Sequence, residues 1–266
     1  MRIDGESTLS EHIASADLDA EQIIQLRNQF YNATIIKRID SHSDLARFRI
    51  RPDAGVVPFE PGQYVALGLG HWEPRLEGTQ PELVPEKRMR KVVRRAYSIS
   101  CPLLDDAGEL APVNEIDYLE FYITLVRQSS SPEAKPPSLT PRLFLLGEGD
   151  RLVVEKKITG HYNLGQVSPD DTILMLATGT GEAPHNAMTA KLLADGHRGR
   201  IINVTSARNR GDLAYADIHA ALMKRFPNYC YLGYTTRAPE NLDPSHPNFV
   251  GKQYLQELFT SGRLAE

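Results

Sequence analysis

"LMLATGTGEAPHNAM" (Leu174–Met188) sets an apolar run in front of a glycine-flanked turn and then a stretch of helical character. The run suits a strand covered on both faces. Gly179 and Gly181 carry the chain out of it, and Pro184 fits the first turn of a helix, where its missing N–H would find no intrahelical partner in any case. The backbone amides of such a turn face whatever lies above the carboxyl end of the strand, and an anionic ligand fits there. The turn lacks the lysine of a Walker loop, and Pro184 stands at the third glycine position of GxGxxG. On the glycines alone, a plain strand-to-helix connection accounts for the turn as well as a ligand site does.

Outward from this turn, the texture after Pro169 alternates strand and helix. Apolar runs at 172–178, 200–207 and 228–236 read as strands, with helical stretches near 184–195, 213–226 and 251–261. That pattern predicts half of a parallel α/β sheet. Upstream, from Tyr31 to Leu164, short alternating segments are punctuated by Pro and Gly. "ARFRI" (46–50), "GQYVALGL" (62–69), "RAYSIS" (95–100), "LEFYITLVR" (119–127) and "DRLVVEKKI" (150–158) read as strands of an antiparallel barrel or sandwich. Polar loops at 71–92 and 103–117 interrupt it. Before it, "DAEQIIQLRNQF" (19–30) gathers Ile23, Ile24, Leu26 and Phe30 near one helical face behind an Asp19 cap. The expected organisation is an N-terminal helical extension (1–30), a barrel domain (31–166) and an α/β domain (167–266).

Composition narrows the chemistry. With 266 residues, 41% of them hydrophobic, the chain can bury the cores of two modest domains. A net charge of −4 and a pI near 6.1 supply no global basic surface for nucleic acid or anionic lipid. Two cysteines, Cys101 and Cys230, are too few for an iron–sulfur cluster or a structural zinc site, so no metal is expected. The first thirty residues hold six Asp/Glu and no signal-like apolar run, and no stretch approaches the ~20 apolar residues of a membrane span. The expectation is a cytoplasmic, monomeric protein.

A second stretch, "RRAYSIS", begins a barrel strand. Side-chain alternation puts Arg95 and Tyr97 on one face and Ser98 on the other unless the strand bends. A guanidinium clamps a pyrophosphate bidentately, a tyrosine ring offers a stacking plane, and a serine hydroxyl bonds a ring nitrogen. Together they suit a dinucleotide with a planar ring, although in isolation an ordinary strand with an amphipathic core tyrosine is the better explanation.

Both stretches, in this order, resemble the ferredoxin–NADP reductase family, in particular the bacterial ferredoxin/flavodoxin–NADP reductases, over roughly residues 31–266. The resemblance implies an α+β two-domain fold: an FAD-binding antiparallel barrel followed by a Rossmann-like NADP(H)-binding domain. By the family's R-x-Y-S segment, Arg95 would bind the FAD pyrophosphate, with Ala96 alongside. Tyr97 would stack on the isoalloxazine, Ser98 would sit near its reactive nitrogen, and Ile99 would continue along the cofactor. Tyr97 and Ser98 are the expected catalytic pair.

"PSLTPRLFLLGEGD" (137–150) aligns with a family segment that puts Thr140 at a helix cap near the pyrophosphate, although Pro137 replaces the usual glycine. The family's G-T-G-x-A-P loop corresponds to Gly179, Thr180, Gly181, Ala183 and Pro184, assigned to the pyrophosphate and nicotinamide end of NADPH. Glu182 departs from that pattern and is expected to face solvent, since an inward carboxylate would repel phosphate. Arg208 and Arg237 follow the second and third α/β strands and resemble arginines that meet a 2′-phosphate, whereas Arg210 is read as a solvated charge.

The implied activity is hydride transfer from NADPH to FAD and single-electron transfer to a ferredoxin or flavodoxin. The basic run "KRMRKVVRR" (87–95) would steer the acidic carrier, or is simply a solvated loop. Alternatives are a related reductase module with another acceptor, or a flavin-carrying electron-transfer module without its own NADPH turnover. Family members continue with further strands, whereas this sequence stops at "TSGRLAE", so the α/β sheet is expected to be incomplete.

Overall fold

The computed structural model describes residues 18–111, 113 and 115–262. The acidic segment before residue 18 and the closing stretch 263–266 lie outside the described residues.

Helix α1 (Ala20–Phe30) starts where Asp19 accepts from the Gln22 backbone N–H at 2.7 Å and the Gln22 side chain reaches back, a capping box that satisfies two helix-end donors. It buries Leu26. Arg27 Nε donates to Glu73 Oε1 at 2.8 Å, as does the Tyr31 hydroxyl at 2.7 Å, so the helix is fastened to the loop beyond the third strand.

Six antiparallel strands follow: β1 (Ala33–His42), β2 (Leu45–Pro52), β3 (Tyr64–Gly70), β4 (Val92–Ser98), β5 (Leu119–Thr124) and β6 (Arg151–Val154), in the order β4-β3-β6-β1-β2-β5. The outer strands β4 and β5 approach through a bridge between Ser100 and Glu120, which curls the sheet into a barrel. Ile35, Phe48, Ile50, Leu67, Leu69 and Phe121 are fully buried inside it. Strand β1 is absent from the sequence reading. Its second half, "KRIDSH", is polar because only Ala33 and Ile35 are buried, and this masks the period-2 signal. The loop at 71–92 contains a short helix α2 (Glu86–Met89), and a second short helix, α3 (Thr140–Leu143), precedes β6.

The second half is a three-stranded parallel sheet of β7 (Ile173–Thr178), β8 (Ile201–Ala207) and β9 (Tyr229–Thr235), in sequential order. The three strands fall on the three predicted apolar runs. Helices α4 (Ala183–Ala194) and α5 (Ala216–Arg225) connect them, with α6 (Pro239–Leu242) and α7 (Leu255–Thr260) beyond. The predicted helix at 213–226 begins later because Arg210–Asp212 forms a 3-10 turn, and the helix at 251–261 is shorter at both ends.

Helix α4 has its first eight residues buried, since it lies between its own sheet and the barrel. Asn186 Nδ2 on α4 donates to the Ser100 hydroxyl at 3.3 Å, and Tyr162 bonds His185 Nε2 at 2.7 Å. The fully buried Tyr215 donates to Glu120 Oε1 at 2.8 Å. The two halves therefore meet through polar side chains that find their partners only across the junction. Among the described residues no helix is long and apolar enough to cross a membrane, and no group of three or more His, Cys, Asp or Glu could hold a metal ion.

Candidate functional site

A cleft of about 610 Å³ opens above the carboxyl ends of β7, β8 and β9. Open α/β sheets offer ligands this edge, where helix N-termini and strand-end loops converge. The glycine turn supplies one wall. Gly179 has φ +52°, a left-handed conformation that favours glycine, and a Cβ built there would meet nothing within 4 Å, so the turn's backbone stands open to a ligand. Gly179, Thr180, Gly181 and Glu182 wind into a 3-10 turn that runs directly into α4.

Arg208 and Arg237 form the opposite wall. The Arg237 N–H donates to the Arg208 carbonyl at 2.7 Å, so the two guanidiniums spring from adjoining strand ends. Both are exposed, and neither meets a carboxylate among the described residues. Arg210 points away and pairs with Glu240, its Nε 2.7 Å from Oε1. The cleft's two carboxylates are already partnered: Asp44 by Arg127 at 2.6 Å, and Asp212 by His42 at 2.8 Å. The hydrogen bond from Arg127 holds Asp44 below the usual carboxylate range. The unpaired charge in the cleft is thus positive, which suits a phosphate.

Not every predicted contact faces this space. Ala183 and Pro184 are buried beneath the turn, and neither they nor Gly181 line the cleft. Glu182 is completely buried and bonds His219 Nε2 at 2.9 Å, contrary to the expectation that it faces solvent. A buried histidine partner, supplied from α5, makes the inward carboxylate tolerable. His42, Asp44, Tyr122, Asp212 and Tyr254 line the cleft without having been singled out in the sequence. They are isolated residues in segments of no distinctive spacing, and only the docking of barrel on sheet assembles them.

The barrel carries a second, separate group. In the β3–β4 register, Leu67 stands opposite Arg95 and Val65 opposite Tyr97, while Tyr64 stands opposite Ser98. Arg95 and Tyr97 therefore share the face of buried Val65 and Leu67, and Ser98 lies on the other, as alternation predicts. Since β4 is an edge strand, Arg95 is exposed despite that inward face, and Ala96, on the opposite face with Ser98, is exposed as well. Arg95 has no carboxylate partner among the described residues. Tyr97 is half-buried, and burial pushes its hydroxyl well above the ordinary value. Ile99 is fully buried, and its N–H donates to the Gln63 carbonyl at 3.0 Å, so its side chain belongs to the core.

Thr140 also serves the fold. It is the first residue of α3 rather than its cap, it is buried, and its hydroxyl accepts from the Val126 N–H at 3.1 Å. The adjoining Ser138 and Arg142 bond Glu82, which the 71–92 loop folds over this segment; Arg142 Nη1 lies 2.6 Å and Arg75 Nη1 2.9 Å from Glu82 Oε2. Burial alone would raise the Glu82 carboxyl, but the Ser138 and Arg142 hydrogen bonds outweigh it and hold it below the usual range. Of the barrel residues, Arg95 and Tyr97 fit a pyrophosphate and a planar ring: a guanidinium that donates to the Arg94 carbonyl at 2.8 Å but meets no carboxylate among the described residues, and an aromatic plane on one open edge. Thr140 offers no comparable free group.

Fold and cleft together define a two-domain protein in which an antiparallel barrel is joined to a parallel nucleotide-type α/β domain. Residues 175–265 match the oxidoreductase NAD-binding domain family. The chain is 30% identical over 193 residues to the flavodoxin/ferredoxin–NADP reductase of Escherichia coli, an alignment covering 72% of this chain and 62% of that protein. Its fold is similar to that of a ferredoxin NADP+ reductase from Neisseria gonorrhoeae with bound FAD and NADP, with a TM-score of 0.62 and 20% identity, over 88% of this chain and 78% of that one. It is likewise similar to the ferredoxin-NADP+ reductase from Plasmodium falciparum with 2′P-AMP, with a TM-score of 0.61 and 15% identity, over 88% and 80% of the two chains. In sequence and in fold the chain is thus similar to ferredoxin–NADP reductases. It spans 62% of the length of the Escherichia coli relative.

Proposed function

We propose that the protein is an FAD-dependent oxidoreductase that moves electrons between NADPH and a one-electron protein carrier, a ferredoxin or flavodoxin. The observation that carries this reading is that Arg208 and Arg237, without carboxylate partners among the described residues, line one cleft with Gly179 and Thr180 of the glycine turn. A 2′-phosphate gives both arginines a purpose; a nucleotide without one leaves them idle. FAD, when bound, accepts a hydride and returns electrons one at a time.

The chain's own residues bind and orient. Arg95 clamps the flavin pyrophosphate from the open edge of β4, the Ala96 backbone lies along it, and Tyr97 offers its ring as a stacking plane. Ser98 lies on the opposite face of β4, and Ser100, two residues on, touches Asn186. The turn at Gly179, Thr180 and Gly181 receives the nicotinamide nucleotide's pyrophosphate with its backbone amides. Residues 31–166 form the flavin unit and 167–266 the nucleotide unit. Lys87, Arg88, Arg90 and Lys91 precede the flavin strand without carboxylate partners among the described residues, and their charge favours encounter with an acidic carrier.

Anaerobic titration with NADPH tests the reading. The purified protein is expected to be yellow with non-covalent FAD, and the colour is expected to bleach as NADPH is added. Retention of colour under excess NADPH would leave a flavin carrier without nucleotide turnover, and finding FMN or no flavin after reconstitution would overturn the assignment.

A further inference from the structure

The buried Glu182 is the one residue of the glycine turn whose placement the fold alone does not require. Taking a carboxylate out of water costs several kcal/mol unless it is well partnered. A solvent-facing side chain at this position would avoid that cost. Glu182 instead turns under the 3-10 turn and meets His219 of α5, both side chains being fully buried.

From His219 the network runs along one face of the α/β sheet. The Tyr229 hydroxyl on β9 lies 2.6 Å from His219 Nδ1, Asn203 Nδ2 on β8 donates to the Tyr229 oxygen at 3.0 Å, and the same amide donates to Thr189 Oγ1 on α4 at 2.7 Å. The Tyr231 ring stacks on the imidazole at 4.1 Å and 14°. The arrangement that uses each hydrogen runs from the Asn203 amide to the Tyr229 oxygen, from the Tyr229 hydroxyl to His219 Nδ1, and from His219 Nε2–H to the Glu182 carboxylate. Glu182 Oε2 is buried without a hydrogen-bond partner among the described residues, so the site is not a fully satisfied structural knot. The network starts at the last residue of the turn and returns to the helix that the turn initiates. It therefore ties the turn's backbone to both flanking helices and two of the three strands.

We propose that Glu182, held by His219, is a positioning residue that sets the Gly179–Gly181 turn to receive the pyrophosphate–nicotinamide half of the dinucleotide, while Arg208 and Arg237 independently hold the adenosine 2′-phosphate half. This rests on the nucleotide reading given above. It separates two halves of one ligand by the side chains that govern them. It also runs against simple electrostatics, in which removing a carboxylate near an anion site strengthens binding of every anion.

Calorimetric titration of the full chain with NADP+ and with 2′-phospho-AMP tests the assignment. Glu182→Gln is expected to weaken NADP+ about tenfold and to leave 2′-phospho-AMP within about twofold, whereas Arg237→Ala weakens both. Tyr229→Phe, which deletes one hydroxyl at the far side of His219 and keeps the ring packing, is expected to weaken NADP+ about threefold with 2′-phospho-AMP again unchanged. Near-ultraviolet circular dichroism confirms that each variant is folded, and if Glu182→Gln does not fold the decision rests on Tyr229→Phe. Equal losses of both ligands, tighter binding of both, or no change in a folded variant overturns the positioning role while leaving the nucleotide reading intact. Failure of the wild-type chain to bind either ligand overturns the nucleotide reading and the proposal with it.

Discussion

The Tyr215 hydroxyl, in the α/β half, donates to Glu120 Oε1, in the barrel, at 2.8 Å, and the other carboxylate oxygen accepts from Arg49 Nε at 2.9 Å. Both Tyr215 and Glu120 are buried, so the bond has no water to replace it. Tyr215→Phe keeps the ring packing, including the Arg47 guanidinium 4.7 Å from the ring centroid, and strands one oxygen of a buried carboxylate. The expected loss is about 1–3 kcal/mol in urea unfolding. An unchanged midpoint would show that this bond adds nothing to the hold between the halves.

The cleft arginines divide by partner. Arg208→Ala and Arg237→Ala are each expected to raise the Michaelis constant for NADPH about tenfold or more, the scale of a charge-assisted hydrogen bond, and to leave that for NADH nearly unchanged. Arg210, occupied by Glu240, serves as the control, and its replacement is expected to change neither constant by more than about twofold, the scale of an exposed ion pair. Parallel losses with both nucleotides would make the arginines structural.

Flavin retention is expected to follow the ring of Tyr97. Tyr97→Ala removes the stacking plane and is expected to weaken FAD binding by about 1 kcal/mol or more, while Tyr97→Phe retains it. Fluorescence of released FAD at equilibrium measures both. Equal affinities for the alanine and phenylalanine variants would place the flavin elsewhere.

His185 makes stability depend on pH. Burial lowers its pKa from 6.5 to about 4. Below pH 6.5 the unfolded chain takes up a proton on this side chain that the folded chain resists, so its contribution is present at neutral pH and declines as pH falls from 6.5 toward 4. Between pH 7 and pH 5 the wild-type protein is expected to lose about 2 kcal/mol more than His185→Gln. Urea unfolding of both proteins at the two pH values gives the difference, and identical losses would mean that His185 titrates normally.

Much of this protein was legible in its sequence, because local physics writes directly into the chain. Continuous apolar runs at 172–178, 200–207 and 228–236 mark the three parallel strands, although Leu174 and Leu176 of β7 are exposed and that strand is not covered on both faces as its apolar run implies, and the shorter alternating segments before them mark an antiparallel barrel. The capping of α1 by Asp19, the exit of β7 at Gly179 and the shared face of Arg95 and Tyr97 follow from backbone geometry within a few residues. Tertiary structure alone decided the rest. Ile99 and Thr140 became core and anchor, since the bend after β4 and the contact with Val126 depend on segments far away in sequence. The polar half of β1 could be recognised as a strand only through its pairing with β2. Glu182 went inward because His219, 37 residues later, waits there with a buried imidazole. A charge's direction is set by its partner, and partners distant in sequence meet only when the chain is folded.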